Sequence, residues 1–223
     1  MTLGILGGMG VQATARFYEL LTAMQNVKSE QEYLDVLIYS KSSIPDRTGF
    51  ITGESNVSPL DALISAAVTL ENAGVNLIAM PCVTAHFFYK EIASAVAVPF
   101  IDMVEETARY VNKCGHKKIG LLATEGTLRN GMLVTALEAW GVEVVTPAAD
   151  VQARVGDAIG RVKRGDMDMP VDVLDGFAKE LCGRGAEAVV LGCTELGLMP
   201  RGSEYVYIEA LEVLACSVLA YAC

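Results

Sequence analysis

The feature that most constrains this chain is that its sequence runs through one pattern twice. Leu3-Gly4-Ile5-Leu6-Gly7-Gly8 matches Ile119-Gly120-Leu121-Leu122-Ala123-Thr124, each reading as a strand that runs into a loop of small residues. Gly74 precedes Cys82 by 8 residues and Gly185 precedes Cys193 by 8, with a helical pattern before each glycine and an apolar run between. Pro99-Phe100-Ile101-Asp102 matches Val206-Tyr207-Ile208-Glu209, and Glu105 and Glu212 follow the two acids by three residues. Any two αβ units share such features, so the weight lies in three matched pairs occurring in the same order. Cys82 and Cys193 are then equivalent positions.

Within each copy, short apolar runs alternate with helical patterns, the signature of parallel strands joined by crossover helices. The class is α/β. Candidate strands are Leu3–Leu6, Val36–Tyr39, Leu77–Met80, Ile119–Ala123, Val142–Val145 and Ala188–Leu191. Phe17, Leu20, Leu21 and Met24 share one helical face, and Ser58-Pro59-Leu60-Asp61 reads as a helix start. Two similar doubly wound α/β halves, related by a pseudo-two-fold axis, would face each other across a cleft where strand carboxyl ends converge. The expected division is 1–98 with 208–223, carrying Cys82, and 99–207, carrying Cys193.

With 223 residues, 52% of them hydrophobic, the chain has ample material for packed cores. No uncharged apolar stretch approaches the roughly 18 residues of a membrane span, and the first residues lack the basic flank of a signal peptide. A cytoplasmic protein without membrane attachment is expected, with the run Val213 to Cys223 forming a buried terminal helix. The formal charge of −10, from 27 acidic and 17 basic residues, repels nucleic acid. An acidic substrate would need a few local cations to hold it.

The six cysteines show no metal-knuckle spacing. Cys114, Cys182, Cys216 and Cys223 read as buried packing residues. Cys82, in Met80-Pro81-Cys82-Val83-Thr84-Ala85-His86, and Cys193, in Leu191-Gly192-Cys193-Thr194-Glu195-Leu196, each follow a strand and precede a probable helix. A helix N-terminus there would lower the thiol pKa and could bind a carboxylate. Inverting the carbon beside a carboxylate needs a base on one face and an acid on the other, which two equivalent cysteines across a cleft would supply.

Over essentially its full length the chain resembles the aspartate racemases of the aspartate/glutamate racemase superfamily. The motifs that carry the resemblance are Leu6-Gly7-Gly8-Met9-Gly10, Ile44-Pro45-Asp46-Arg47-Thr48, Ala123-Thr124-Glu125-Gly126-Thr127 and Gly192-Cys193-Thr194-Glu195-Leu196. The resemblance implies racemisation of a small acidic amino acid by Cys82 and Cys193, no cofactor, no metal, and a homodimer. It places Arg47 and Lys163 on the substrate carboxylates and Met9 of the opening loop at the site. Thr84, Thr124, Thr127 and Thr194 either donate hydroxyls to the substrate or cap helices. Glu195 would orient the ammonium group or Cys193. His86 stands one helical turn from Cys82, where it either tunes that thiol or packs. Val83 occupies a position where many relatives carry asparagine, and valine cannot bond a carboxylate. Val11 in place of a proline and Glu209 in place of an aspartate are milder departures. An isomerase or racemase acting on another dicarboxylate, or on a broader amino-acid range, is therefore the alternative inside the superfamily.

Four other readings compete. Gly8-Met9-Gly10-Val11-Gln12-Ala13 fits a glycine-rich dinucleotide loop, but the acid expected at the end of the second strand is replaced by Tyr39-Ser40-Lys41. Lys41 beside that loop would serve a pyridoxal enzyme. A catalytically silent protein that binds an acidic ligand would keep the same cleft. Zinc held by Cys82, His86 and Cys193 is the last, in a chain with only two histidines.

Overall fold

The structure is a computed structural model that describes residues 1–222; Cys223, which ends the expected terminal helix, lies outside the described residues. Among the described residues, seven strands form two parallel sheets: β1 (Thr2–Gly7), β2 (Asp35–Ser40) and β3 (Leu77–Ala79) in one, β4 (Lys118–Leu122), β5 (Glu143–Val145), β6 (Ala188–Leu191) and β7 (Tyr207–Glu209) in the other. The orders are β2-β1-β3 and β5-β4-β6-β7, and Phe100 bridges Ile78 in the first sheet where β7 flanks β6 in the second. The duplication read from the sequence is thus a duplication of sheet order. All six expected strands are present. The segment of Tyr207–Glu209, matched to Pro99–Asp102 but not assigned as a strand, adds the seventh.

Ten α-helices join them: α1 (Val11–Met24), α2 (Arg47–Thr52), α3 (Leu60–Asn72), α4 (Tyr89–Ser94), α5 (Met103–Lys113), α6 (Glu125–Asn130), α7 (Met132–Ala139), α8 (Ala149–Lys163), α9 (Asp172–Gly183) and α10 (Ala210–Ala222). Strand alternation sorts them into layers. Leu3 and Ile5 of β1, with Ile119 and Leu121 of β4, face a middle layer built from α1, α5, α7 and α10. Leu6 and Ile78 face out toward α3 and α4, while Leu122 and Val189 face out toward α8 and α9. The two sheets therefore share one apolar layer, in which Phe17, Met103, Leu133 and Leu214 are fully buried. Burying each such side chain is worth about 1.5–3 kcal/mol. The chain leaves the first sheet after Phe100 and the second after Glu209, in each case directly into a helix of the middle layer.

The repeat-related glycines have matching work to do. Gly74 and Gly185 end α3 and α9 in the left-handed region, at φ +85° and +93°. Behind them Val75 N–H bonds back to Leu70 and Ala186 N–H to Leu181, the six-to-one bond of a Schellman cap. Gly4 and Gly120 let those same helices lie close on their strands, since a Cβ at Gly4 would press on Val75 and Leu70, and one at Gly120 on Leu181.

Local expectations were met unevenly. Phe17, Leu20 and Leu21 of α1 are buried, but Met24 in its last turn lies at the exposed rim. Ser58 Oγ accepts from Leu60 N–H at 3.2 Å, starting α3 directly after Pro59. Cys114 and Cys216 are exposed, just past α5 and on α10, so these two thiols are not core packing residues, whereas Cys182 of α9 is half-buried and packs against the outer core as expected.

Candidate active site

The loops after β1, β2, β3, β4 and β6 meet at the carboxyl ends of both sheets, where open parallel sheets place ligands. The first half supplies Met9, Asp46, Arg47, Thr48, Cys82, Val83 and Thr84 to the cleft there, and the second supplies Lys163, Cys193, Thr194 and Glu195. The enclosed space is about 10 Å³, room for no more than about one water. A far larger groove of about 630 Å³ lies on the outer face between α8 and α9, but it touches none of these loops.

Both thiols are buried, with Cys82 6% and Cys193 5% exposed. The helices that follow them are not the α-helices expected from sequence. Thr84–Phe88 and Leu196–Leu198 are short 3-10 segments, which carry little of a full helix dipole. The expected lowering of thiol pKa fails at Cys193. Burial pushes that thiol well up, and the Glu195 carboxylate adds to the rise, against the opposing pull of the Lys163 ammonium.

Glu195 organises the second half of the site. Its Oε2 accepts from Cys193 Sγ at 3.0 Å and from Thr194 Oγ1 at 3.1 Å, and its Oε1 accepts from Gly10 N–H at 3.1 Å. The last bond crosses the cleft and uses the amide that a dinucleotide phosphate would need. Gly10 is a glycine because a Cβ there would stand 2.8 Å from Glu195 Oε1. The glycine-rich loop thus serves a carboxylate of this protein.

Arg47 opens α2, whose cap is the Asp46 carboxylate on Gly49 N–H. It is buried. Its Nη1 donates to the Ile44 and Pro45 carbonyls at 3.2 and 3.0 Å, while Nε, also buried, has no partner among the described residues. Lys163 closes α8 beyond the buried Val155, Ile159 and Val162 and reaches into the cleft. Burial alone would lower its pKa, but the Cys193, Glu195 and Cys82 groups together outweigh burial and raise it. The ammonium form is the one the site favours.

Three threonines meet behind the cleft. Thr84 Oγ1 stands 2.9 Å from both Thr124 Oγ1 and Thr127 Oγ1, which are 3.0 Å from each other. Thr124 also caps α6 by accepting from Thr127 N–H at 3.1 Å. Thr84 lines the cleft; Thr124 and Thr127 back it without lining it. Val83 presents only methyl groups and packs into the shared middle layer. Asp46 and Thr48 were not singled out from sequence, although the motif around Arg47 contains both.

Two rival readings lose their key residue. Lys41 does not line the cleft, and its Nζ lies 5.8 Å from the Tyr39 ring centroid. Both ring nitrogens of His86 are held by backbone, Nδ1 at 2.9 Å from Cys82 O and Nε2 at 3.1 Å from Met103 N. Neither is free to join Cys82 and Cys193 on a zinc ion.

A sequence profile of the Asp/Glu/hydantoin racemase family matches residues 6–218. The chain is 30% identical over 230 residues to the broad specificity amino-acid racemase RacX of Bacillus subtilis strain 168, covering 98% of this chain and 96% of that one. Picrophilus torridus aspartate racemase superposes with a TM-score of 0.86 at 30% identity, covering 99% of this chain and 94% of that one. An aspartate racemase homologue from Pyrococcus horikoshii gives 0.79 at 27% identity, with 99% and 98% covered. Two α/β halves meeting at a cleft, and matches that run nearly end to end, make this chain a member of the Asp/Glu/hydantoin racemase family, an isomerase of the amino-acid racemase type.

Proposed function

We propose that the chain racemises a small acidic amino acid, aspartate or glutamate, with Cys82 and Cys193 as opposed acid/base groups. The observation that carries this is the pair of buried thiols at repeat-equivalent strand ends, lining one cleft with two cations. Cys193 keeps its proton, donating it to Glu195, and so begins as the acid. The Cys82 thiolate takes the α-proton from one face while the Cys193 thiol delivers its own to the other. The product leaves Cys82 protonated and Cys193 as a thiolate, which Lys163 stabilises; the opposite enantiomer starts from that state. The chemistry draws on side chains alone.

Arg47 and Lys163 pair with the substrate carboxylates, and the partnerless Arg47 Nε supports that role. Glu195 faces the ammonium group. With Val83 unable to donate, the α-carboxylate falls to Thr84 and Thr194, with Thr124, Thr127 and Met9 shaping the wall behind. Val83 and the apolar Met9 also favour a second reading, a broader amino-acid range, which accords with the name of the RacX relative. The homodimer, the cytoplasmic location and the division into 1–98 with 208–223 and 99–207 belong to the same proposal.

The test is to incubate the protein with each enantiomer of aspartate and glutamate, then of neutral amino acids, in deuterium oxide. The α-hydrogen is followed by NMR alongside circular dichroism. Exchange with loss of optical activity is expected for an acidic pair, and Cys82→Ala and Cys193→Ala each abolish it. Full activity in either variant overturns the two-thiol reading, and turnover confined to neutral amino acids overturns the acidic one.

A further inference from the structure

His86 is buried behind Cys82 without lining the cleft, and the acid/base scheme gives it no proton to carry. Its backbone partners select one tautomer. The Met103 backbone N–H can only donate, so Nε2 accepts at 3.1 Å and carries no hydrogen. The ring proton then sits on Nδ1 and is donated to the Cys82 carbonyl at 2.9 Å. Burial holds the imidazole neutral by pulling its pKa down, against the opposing effects of the Cys82 carbonyl, the Asp102 carboxylate and the Ile101 backbone. The Tyr89 ring stacks on it at 5.8 Å and 8°, and the Tyr89 hydroxyl donates to Phe100 O at 2.9 Å. Both nitrogens and one face of the ring are therefore fixed.

The two backbone groups it joins belong to different parts of the fold. Cys82 lies on the strand-end loop of the first sheet. Met103 is the first residue of α5, just past the point where the chain leaves the first sheet, and its N–H is one of the orphan donors of a helix start. Asp102 satisfies the next two, Val104 N–H at 2.9 Å and Glu105 N–H at 3.2 Å. From there α5 runs into the apolar layer shared by both halves, where Met103, Ala108 and Val111 are fully buried.

The second half holds its cysteine differently. Gly197 follows Cys193 by four residues as His86 follows Cys82. Beside Gly197 the space is taken by the Glu209 carboxylate, into which a Cβ would collide, and Glu209 is paired with Arg201. An ion pair therefore stands where the first half uses a neutral imidazole.

We propose that His86 is a positioning residue for Cys82: by bridging the Cys82 carbonyl to the first amide of α5, it holds that thiol, and not Cys193, in register with the layer between the halves. This rests on the reading of Cys82 as an acid/base group.

The test uses the full chain and three substitutions. His86→Phe keeps ring volume and stacking and loses both bonds; His86→Asn keeps a donor near Nδ1; His86→Gln keeps an acceptor near Nε2. Racemisation gives kcat and KM, and iodoacetamide labelling with peptide mass mapping gives the reactivity of each thiol. Loss of register at an ångström scale costs about ten- to a hundredfold, so His86→Phe is expected to lower kcat by that factor with KM changed less than about twofold. Cys82 labelling rises more than about threefold as its loop loosens, while Cys193 labelling stays put. His86→Asn and His86→Gln each recover part of kcat, and they carry the test if His86→Phe does not fold. Wild-type kcat in the substituted proteins, or equal acceleration of both thiols, overturns the proposal. Cys82→Ala separates the two ideas. If that variant is inactive while His86→Phe is unimpaired, only the positioning role falls; if it is fully active, the two-thiol reading falls and takes this proposal with it.

Discussion

Replacing Thr84 with valine breaks a hydroxyl ring that spans the two halves. Three hydroxyls at mutual distances of 2.9, 2.9 and 3.0 Å close a ring in which each donates once and accepts once. Valine keeps the outline of threonine and removes two of the three bonds, both of them crossing from Thr84 to the second half. Thr124 and Thr127 still bond to each other, and Thr124 still accepts from Thr127 N–H. One buried hydroxyl donor is left without an acceptor. A net hydrogen bond is worth about 0.5–1.5 kcal/mol and an unpaired buried group costs about 1–3 kcal/mol, so the loss falls at about 2–3 kcal/mol. At about 2–4 °C per kcal/mol for a chain of this length, Tm drops by about 4–12 °C. Thr84→Ser keeps the ring and loses one methyl, and should cost only about 1 kcal/mol. Urea unfolding of Thr84→Val, Thr124→Val and the double variant gives the coupling, expected at about 0.5–1.5 kcal/mol. Zero coupling, or a serine variant as damaged as the valine one, would refute the ring.

Glu195→Gln removes a carboxylate that raises the Cys193 pKa and leaves burial as the main opposing cause, so the midpoint of Cys193 alkylation against pH moves down. A midpoint that rises or stays would rule out Glu195 as the acceptor of that thiol. Gly120→Ala puts a Cβ 2.7 and 2.8 Å from Leu181 atoms, whereas Gly4→Ala meets Val75 at 3.0 Å and Leu70 at 3.4 Å. Overpacking at Gly120 is expected to cost about 1–3 kcal/mol, and at Gly4 distinctly less; equal costs in urea unfolding would contradict the packing described. His86 also sets a pH dependence. Its folded pKa is lowered by burial, so below about pH 6.5 the unfolded chain binds a proton that the folded chain refuses, and stability falls with pH until the folded value is passed. The stability gap between wild type and His86→Phe should therefore narrow on acidification by up to about 1.4 kcal/mol per pH unit, and a constant gap would count against a neutral His86.

How much of this was legible in the sequence depended on the range over which each feature is encoded. The inner strands β1, β3, β4 and β6 are buried and so are short apolar runs, the more exposed edge strands β2 and β5 keep enough aliphatic residues to be read as well, and the Gly74 and Gly185 caps gave the repeat its phase. β7, Tyr207-Ile208-Glu209, has a single aliphatic residue and so lacks the apolar run that marks the equally short β3. The apolar run of α10 signals burial, but not that it packs on α1 and α5 from the other end of the chain. At the site, strand-end position singled out Cys82 and Cys193, and motif resemblance added Arg47, Lys163 and Glu195. The bond from Gly10 to Glu195 spans 185 positions, and no local signal announces it. Nor does composition around Cys193 reveal that its thiol is pushed up, because that comes from three-dimensional burial beside a carboxylate.

The size of the cleft then limits how the chemistry can begin. Room for about one water cannot hold an amino acid, so the walls must part before a substrate reaches either thiol. Those walls are joined by polar bonds: Gly10 N–H to Glu195 Oε1, Thr84 to Thr124 and Thr127, and Arg129 Nη1 to Thr52 O at 2.8 Å. Such bonds exchange readily with water, at a net cost of about 0.5–1.5 kcal/mol each. The middle layer opposite the cleft is apolar, and parting it would expose side chains worth about 1.5–3 kcal/mol apiece. The cheaper separation is therefore at the cleft, with the middle layer intact. A substrate that offers carboxylates to the threonines and an ammonium group to Glu195 replaces the very bonds its arrival breaks. Thr84→Val should then weaken the fold while easing separation of the walls, so a lower Tm need not be accompanied by slower substrate association.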